Sequence, residues 1–137
     1  MDWKICGVMP TLDSDNLLEA IDYYSQFGFT EMWRWPDPAP HDYEDGIVPE
    51  DKQNWTHAGI KFGDAVSIML VQFKAEWGSI QRQNLYFFVE NVDELYNQVK
   101  QFHQGRIEGV KDYDYVMRDF SINDPWGHEL TFGQNLK

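Results

Sequence analysis

The sequence has 137 residues, a typical length for one domain, and a net charge of −12 at pH 7. Its 11 Lys and Arg against 23 Asp and Glu disfavour nucleic acid and anionic membranes as partners, because clustered cations bind both. The acidity either attracts a cationic ligand or serves solubility alone.

Three further features of composition narrow the class of protein. Aromatic residues make up 16% of the chain, and their rings either fill the core or line a pocket. Cys6 is the single cysteine, so no internal disulfide can form. We therefore expect Cys6 to be a small buried hydrophobic residue in a protein of the reducing cytoplasm. The N-terminus shows no signal-peptide pattern, and no apolar run is long enough to span a bilayer.

The first half of the chain is predicted to run strand, helix, strand, strand, strand. Apolar residues fall at helical spacing over 17–27, after the capping cluster 13–16 and before Gly28. Gly63-Asp64 predicts a hairpin turn between two strands, and Pro36 is expected to end another. Apolar runs bounded by turn residues predict four strands: 4–12, 29–35, 55–62 and 65–72.

Residues 36–54 form a long acidic loop between two of these strands. The loop holds four of the six prolines and six acidic side chains. A loop of this length is either a functional lid or a solvated excursion without a role.

The second half repeats the same element order after a connector over 73–83. Asn91 is a capping residue before a helix with apolar residues at helical spacing up to Phe102, and Gly105 follows that helix. Asp124–Gly127 has turn-forming residues. Four strands are predicted here: 84–90, 106–110, 116–123 and 128–134.

This order predicts an α+β fold made of two βαβββ modules, about 4–72 and 84–134, within one domain spanning 1–137. In this fold the curved sheets of the two modules enclose a cleft, and one helix packs behind each. A ferredoxin-like fold is the alternative, but it places two strands between the helices rather than four.

Three patches of the sequence are distinctive: the segment 117–132, MRDFSINDPWGHELTF, residues 17–29 and residues 89–96. In this order they resemble the terminal hairpin, the helix and turn of the first module, and the start of the second module of the vicinal-oxygen-chelate superfamily. That superfamily contains glyoxalases, bleomycin-resistance proteins and dioxygenases. Membership implies one of several functions, from metal isomerases, dioxygenases and thiol transferases to metal-free antibiotic-binding proteins.

Family metal sites take one His, Gln or Glu from each of four strands, and the resemblance assigns these positions in this chain. They are Val8 or Met9, Met69, Asn84 and Thr131. None is a strong ligand. The four histidines do not complete the set: His41, His57, His103 and His128. Glu129 is a carboxylate two residues before Thr131, but it lacks partners. We therefore predict no metal, no cofactor and no catalytic residue.

Period-two alternation selects the side chains expected to face the cleft. Trp33 and Trp35 share a face, but the sequence leaves open which side it is. The candidate ligand-binding residues are Trp33, Trp35, Met69, Tyr86, Phe88, Glu129 and Thr131. Plain core packing is the alternative for each of them.

The resemblance implies a metal-free homodimer that sequesters a cationic antibiotic in acidic, aromatic clefts. The first hypothesis is therefore a binding protein for a cationic or amphipathic small molecule, such as bleomycin. The second is a divergent metal-dependent lyase or dioxygenase. The third is an interaction domain whose acidic loop docks a basic partner. The sequence leaves open whether the modules pair within one chain or swap between two.

Overall fold

A computed structural model describes residues 2–37, Ile47 and residues 54–137. Most of the predicted acidic loop, together with His41, lies outside the described residues. The chain forms two compact units, Met1–Ile80 and Gln81–Lys137.

The first unit is a four-stranded sheet with one helix. Strand β1 runs parallel to β4, and the other neighbours are antiparallel in the order β1-β4-β3-β2. A short 3₁₀ helix, Ala75–Trp77, follows the sheet. The elements are β1 Thr11–Ser14, α1 Leu17–Ser25, β2 Thr30–Asp37, β3 Asn54–Phe62 and β4 Val66–Gln72.

Helix α1 begins where the capping cluster predicted. The side-chain oxygen of Asn16 accepts a hydrogen bond from the backbone N–H of Glu19 at 3.1 Å. The helix then buries one apolar face, Leu17, Ala20 and Tyr24, against β3 and β4. The facing side chains of the sheet are buried in turn: Ala58, Ile60, Ile68 and Leu70. Among the described residues of this unit, no helix covers the opposite face of the sheet.

The predicted first strand, 4–12, is wrong at its start. Strand β1 begins at Thr11, where Thr11 pairs with Met69. Met69 N still donates to Pro10 O at 2.9 Å, but Pro10 has no N–H to continue the ladder. Cys6 therefore lies outside the sheet and is exposed, so its predicted burial is wrong too.

The expected end of β2 at Pro36 also needs correction. The strand continues through Pro36 to Asp37. Because β2 is an edge strand and its register shifts between Trp35 and Pro36, the missing proline N–H costs no ladder bond.

The second unit repeats the topology of the first. Its sheet has the order β5-β8-β7-β6, with β5 parallel to β8. Asn91 caps α2 by accepting from Glu94 N at 3.2 Å and donating to Glu94 Oε2 at 3.1 Å. The elements are β5 Asn84–Phe88, α2 Val92–Phe102, β6 Lys111–Tyr113, β7 Met117–Asn123 and β8 Glu129–Asn135.

The predicted strand over 106–110 is wrong, because the edge strand is instead β6. Strand β6 pairs with β7 through its three residues only, from Lys111 opposite Asp119 to Tyr113 opposite Met117. The apolar residues Ile107 and Val110 precede this pairing and are only half-buried.

The predicted turn between β7 and β8 is held by Asp124. Its Oδ1 accepts from Trp126 N at 3.0 Å and from His128 N at 2.9 Å. His128 is fully buried, and its Nδ1 accepts from Gln83 N at 3.1 Å. These contacts give His128 a structural role in joining the connector to the turn.

The architecture is thus α+β, with two βαβββ modules and four strands between the helices, which excludes the ferredoxin-like alternative. Within the described residues, no helix has both the length and the apolarity to cross a membrane. The cleft between the sheets and the one-domain pairing of the modules stay predictions.

Candidate ligand-binding surfaces

The first open face, the side of the first sheet turned away from α1, carries two tryptophans. Trp33 pairs with Gly59, and Gly59 pairs with Met69, so three strands align these residues. The Trp33 indole covers Gly59, where a β-carbon would stand 2.5 Å from Trp33 Nε1. Trp35, two residues further along β2, shares this face and is 48% exposed. The structure therefore places both tryptophans on the side of Met69.

A cavity of about 290 Å³ lies at the edge of the first open face. It is lined by Trp35, Pro36, Thr56, His57, Val71, Gln72, Lys74 and Trp77. His57 Nδ1 lies 2.9 Å from Thr56 Oγ1. The ammonium of Lys74 lies 5.6 Å from the Trp77 ring centroid. At the lower end of ligand-pocket volumes, about 300–1,000 Å³, such a cavity suits a single small ring system.

Sequence reasoning did not select His57 or Trp77 for this cavity. His57 was set aside because it lies outside the family's ligand positions, although alternation does place it on the face of Trp35. Trp77 lies in the connector, on the 3₁₀ helix. No periodicity of the strands could have found it.

The first-strand metal position is also displaced from its prediction. Val8 precedes β1 and is 86% exposed, and Met9 precedes β1 as well. The residue beside Met69 on β1 is Thr11. A threonine and a thioether remain poor ligands for a hard divalent ion.

The second open face, the side of the second sheet turned away from α2, holds four of the predicted residues. Tyr86 pairs with Thr131, and Asn84 pairs with Glu129 along the parallel strands. Phe88 follows on the same face of β5 and is 80% exposed, while Tyr86 is 42% exposed. The intervening residues of β8, Leu130 and Phe132, are buried in the core, as alternation predicts. The structure thus brings Tyr86, Phe88, Glu129 and Thr131 onto one face.

A buried carboxylate lies at the centre of the second open face. Asp119 is only 6% exposed, and its Oδ2 accepts hydrogen bonds from the hydroxyls of Tyr86 and Tyr115, both at 3.1 Å. Burial, and then the hydrogen bond to Asp119, raise the pKa of Tyr86 to about 12. The same causes raise the pKa of Tyr115. The Tyr86 hydroxyl also covers Gly133, where a β-carbon would collide with it.

Two pairs of aromatic rings flank this carboxylate. The Tyr86 and Phe88 centroids are 5.1 Å apart, and those of Tyr113 and Tyr115 are 5.2 Å apart in a stacked pair. Asp119, Tyr113 and Tyr115 were missed from the sequence. Alternation along β7 could have placed Asp119 on this face, but the role of a turn residue such as Tyr115 has no sequence signal.

The side chains that could bind a metal do not cluster in the described parts of the chain. Within 2–37, 47 and 54–137, no three His, Cys, Asp or Glu side chains come close enough to share an ion. Among the pairs across the parallel strands, Thr11 lies opposite Met69, Asn84 opposite Glu129 and Tyr86 opposite Thr131. These pairs hold one carboxylate among weak donors, which is too few for a divalent ion of the family's kind.

Two βαβββ modules, each with a parallel outer pair and an aromatic open face, define a recognisable class of α+β proteins. The family model of the Glyoxalase/Bleomycin resistance protein/Dioxygenase superfamily matches residues 11–132. The chain belongs to this superfamily, which confirms the resemblance inferred from the sequence.

Solved structures of low sequence identity share the fold. TioX from Micromonospora sp. ML1 is 19% identical with a TM-score of 0.69, over 95% of this chain and 100% of that one. A bleomycin-binding protein complexed with bleomycin is 15% identical with a TM-score of 0.64, over 96% and 99%. Lactoylglutathione lyase from Agrobacterium tumefaciens is 16% identical with a TM-score of 0.63, over 96% and 95%. At a stringent threshold, no curated protein matches the sequence.

Proposed function

We propose that this protein is a metal-free binding protein that sequesters a small cationic or amphipathic molecule, with bleomycin-type antibiotics as the specific candidate. The observation that carries the proposal is the chemistry of the two open faces. They present a thioether, Met69, at one family ligand position, and exposed rings on the same open faces, namely Trp33, Trp35, Tyr86 and Phe88. Rings of this kind offer contact area at low entropic cost.

Charge supports a cationic ligand. The net charge of −12 attracts cations over the whole surface. Glu129 is exposed on the second open face, beside Asn84 and in line with Thr131. A bleomycin-binding protein has the same fold, which makes bleomycin a reasonable first ligand to test.

Calorimetric titration with metal-free bleomycin tests the proposal. We expect saturable heat, and we expect Phe88→Ala and Tyr86→Ala each to weaken binding by about 1–3 kcal/mol if the rings stack on the ligand. Leu18→Ala is the matched control, because Leu18 is an exposed apolar residue of α1, on the opposite side of the first sheet. No heat at high micromolar ligand would rule out bleomycin.

The second candidate function is a divergent metal-dependent lyase or dioxygenase. The shared fold of lactoylglutathione lyase favours it, together with Glu129, a carboxylate two residues before Thr131. Elemental analysis after dialysis decides between the two: stoichiometric Zn, Ni, Mn or Fe would overturn the metal-free proposal.

We further propose that residues 1–137 form a single domain, that the protein is a homodimer, and that it acts in the cytoplasm. The homodimer follows from the family resemblance. Sedimentation equilibrium tests it, because a monomer at micromolar concentration would contradict it.

A further inference from the structure

Asp119 is a buried carboxylate for which the described residues supply no ion-pair partner. Its exposed fraction is 6%, and its Oδ2 is bonded to two neutral phenol hydroxyls. Among the described residues, no Lys, Arg or His forms an ion pair with Asp119. Burying a carboxylate is costly unless it is paired with an opposite charge.

The two nearest cations along the sheet are engaged elsewhere. Arg118 precedes Asp119 but points to the other face, where its guanidinium bonds Asp93 at 2.9 Å and Asp112 at 2.8 Å. Lys111 is the β6 neighbour of Asp119, yet its ammonium lies 3.6 Å from Glu108 Oε2 and its side chain is 61% exposed. The counter-ion of Asp119 is therefore not a side chain of this sheet.

Aromatic side chains lie on the same face of the sheet as Asp119. The Tyr86 and Tyr115 hydroxyls converge on one carboxylate oxygen, so both rings stand beside Asp119. The Phe88 ring centroid lies 5.1 Å from that of Tyr86, and the Tyr113 ring centroid lies 5.2 Å from that of Tyr115. Rings around a carboxylate are the arrangement that recognises organic ammonium groups, through cation–π attraction and charge together.

The backbone is strained at Val116, next to Tyr115. Val116 has a φ of +66°, a conformation that a β-branched residue rarely adopts. Its N–H donates to Tyr113 O at 3.0 Å and closes the turn that stacks Tyr113 on Tyr115. Strain of this kind is often kept where it positions functional groups.

We propose that Asp119, walled by Tyr86, Tyr115, Phe88 and Tyr113, is the seat for an organic ammonium group of the ligand. The inference rests on the proposed function and deepens it, because it names the chemical group by which a cationic ligand is held. The ammonium would sit against the carboxylate as the missing counter-ion, with the hydroxyls fixing the carboxylate and the rings excluding water.

A matched pair of small probes tests the seat. Choline carries a quaternary ammonium, and 3,3-dimethyl-1-butanol has the same shape without the charge. We expect NMR titration to show saturable shifts of the tyrosine ring signals with choline, and affinity at least about tenfold weaker for the neutral alcohol. Equal affinity for the two probes, or no shift with choline, would overturn the proposal.

Variants test whether choline binds at Asp119 itself rather than through the general acidity of the surface. They also test whether a loss of binding comes from misfolding. Asp119→Asn should weaken choline binding at least about tenfold, whereas Asp64→Asn, in the exposed hairpin turn between β3 and β4, should leave it unchanged. Tyr115→Phe removes one hydroxyl but keeps the ring, so it should fold and bind more tightly than Tyr115→Ala. Unchanged choline binding in both Asp119→Asn and Tyr115→Ala would overturn the proposal.

Bleomycin titration of the same variants distinguishes the two proposals. If choline binds at Asp119 but bleomycin gives no heat, the seat stands and bleomycin sequestration falls. If bleomycin binds equally well to Asp119→Asn and to the unaltered protein while choline does not bind, the proposed function stands and the seat falls.

Discussion

Replacing Asp119 with Asn should lower the pKa of Tyr86, but only part of the way back to the ordinary value. The pKa of Tyr86 is raised from 10.0 to about 12, first by burial and then by the hydrogen bond and charge of Asp119. Asp119→Asn removes the charge and weakens the hydrogen bond, while the burial of the ring stays. The variant should therefore titrate between the two values.

The exposure of the Tyr86 ring determines how much free energy its raised pKa represents. A shift from 10.0 to about 12 corresponds to roughly 2.7 kcal/mol, at about 1.36 kcal/mol for each pKa unit. Because Tyr86 is 42% exposed, solvent screening reduces this to about 1–1.5 kcal/mol. Burial is the largest single cause, so the pKa of Tyr86 in Asp119→Asn should fall below about 12 but stay above 10.0.

The raised pKa of Tyr86 also predicts how stability changes in alkali. The folded state holds the phenol proton more tightly than the unfolded chain, so the contribution is fully present below pH 10. It is lost as the pH rises from 10 to about 12, because the unfolded state ionises first. The free energy of unfolding of Asp119→Asn should fall less steeply across this range.

Absorbance titration of tyrosinate measures the pKa directly. The difference between each protein and its Tyr86→Phe counterpart isolates the signal of Tyr86 from the other tyrosines. Asp64→Asn controls for the loss of one negative charge. An unchanged pKa in Asp119→Asn would refute the assigned hydrogen bond, and a return to 10 would refute burial as the larger cause.

Three further substitutions test the framework around the second open face. Gly133→Ala places a β-carbon against the Tyr86 hydroxyl, so the ring must move and its pKa should fall in the same titration. Asn91→Ala removes the cap of α2 and should lower the free energy of unfolding by about 0.5–2 kcal/mol in urea; no change would mean that the cap is replaced by water. His128→Leu leaves Gln83 N–H without its acceptor and should cost about 1–3 kcal/mol by the same method, unless the connector rearranges to bond it elsewhere.

Helices were the most predictable elements of this fold. Asn16 and Asn91 each stand before an apolar helical pattern, and each accepts the hydrogen bond that its position requires. Capping is a local interaction, so the sequence contains what is needed to predict it.

Strand ends were less predictable because they depend on a partner. The apolar run at 4–12 could not reveal that pairing with β4 starts at Thr11, beyond a proline without an N–H. The same limit explains the misplaced β6, which pairs only where β7 passes it, from Lys111 to Tyr113. Apolarity shows that a segment can pair, but the partner decides where pairing begins.

The candidate site residues were predictable where strand alternation decides and unpredictable where tertiary structure decides. Alternation correctly grouped Tyr86 with Phe88 and Glu129 with Thr131, because a strand has a fixed period. It could not choose the side for Trp33 and Trp35, since β2 is an edge strand whose register is broken by bulges. The cavity-lining Trp77 lies on a short 3₁₀ helix and the carboxylate partner Tyr115 in a turn, where side-chain direction follows from tertiary structure.

Along each strand, the core-facing residues maintain the fold that identifies the family. The open-face residues are those proposed to bind the ligand. Along β8, Leu130 and Phe132 are buried in the core, while Glu129 and Thr131 lie on the open face. The core side chains maintain the fold, and the fold is what structures of 15–19% identity share with this chain. Open-face residues can change without cost to that core, so the family can lose a metal site and keep its architecture. Ligand chemistry in this protein is therefore best tested on the open faces, beginning with Asp119, whose charge the described sheet leaves without a cation.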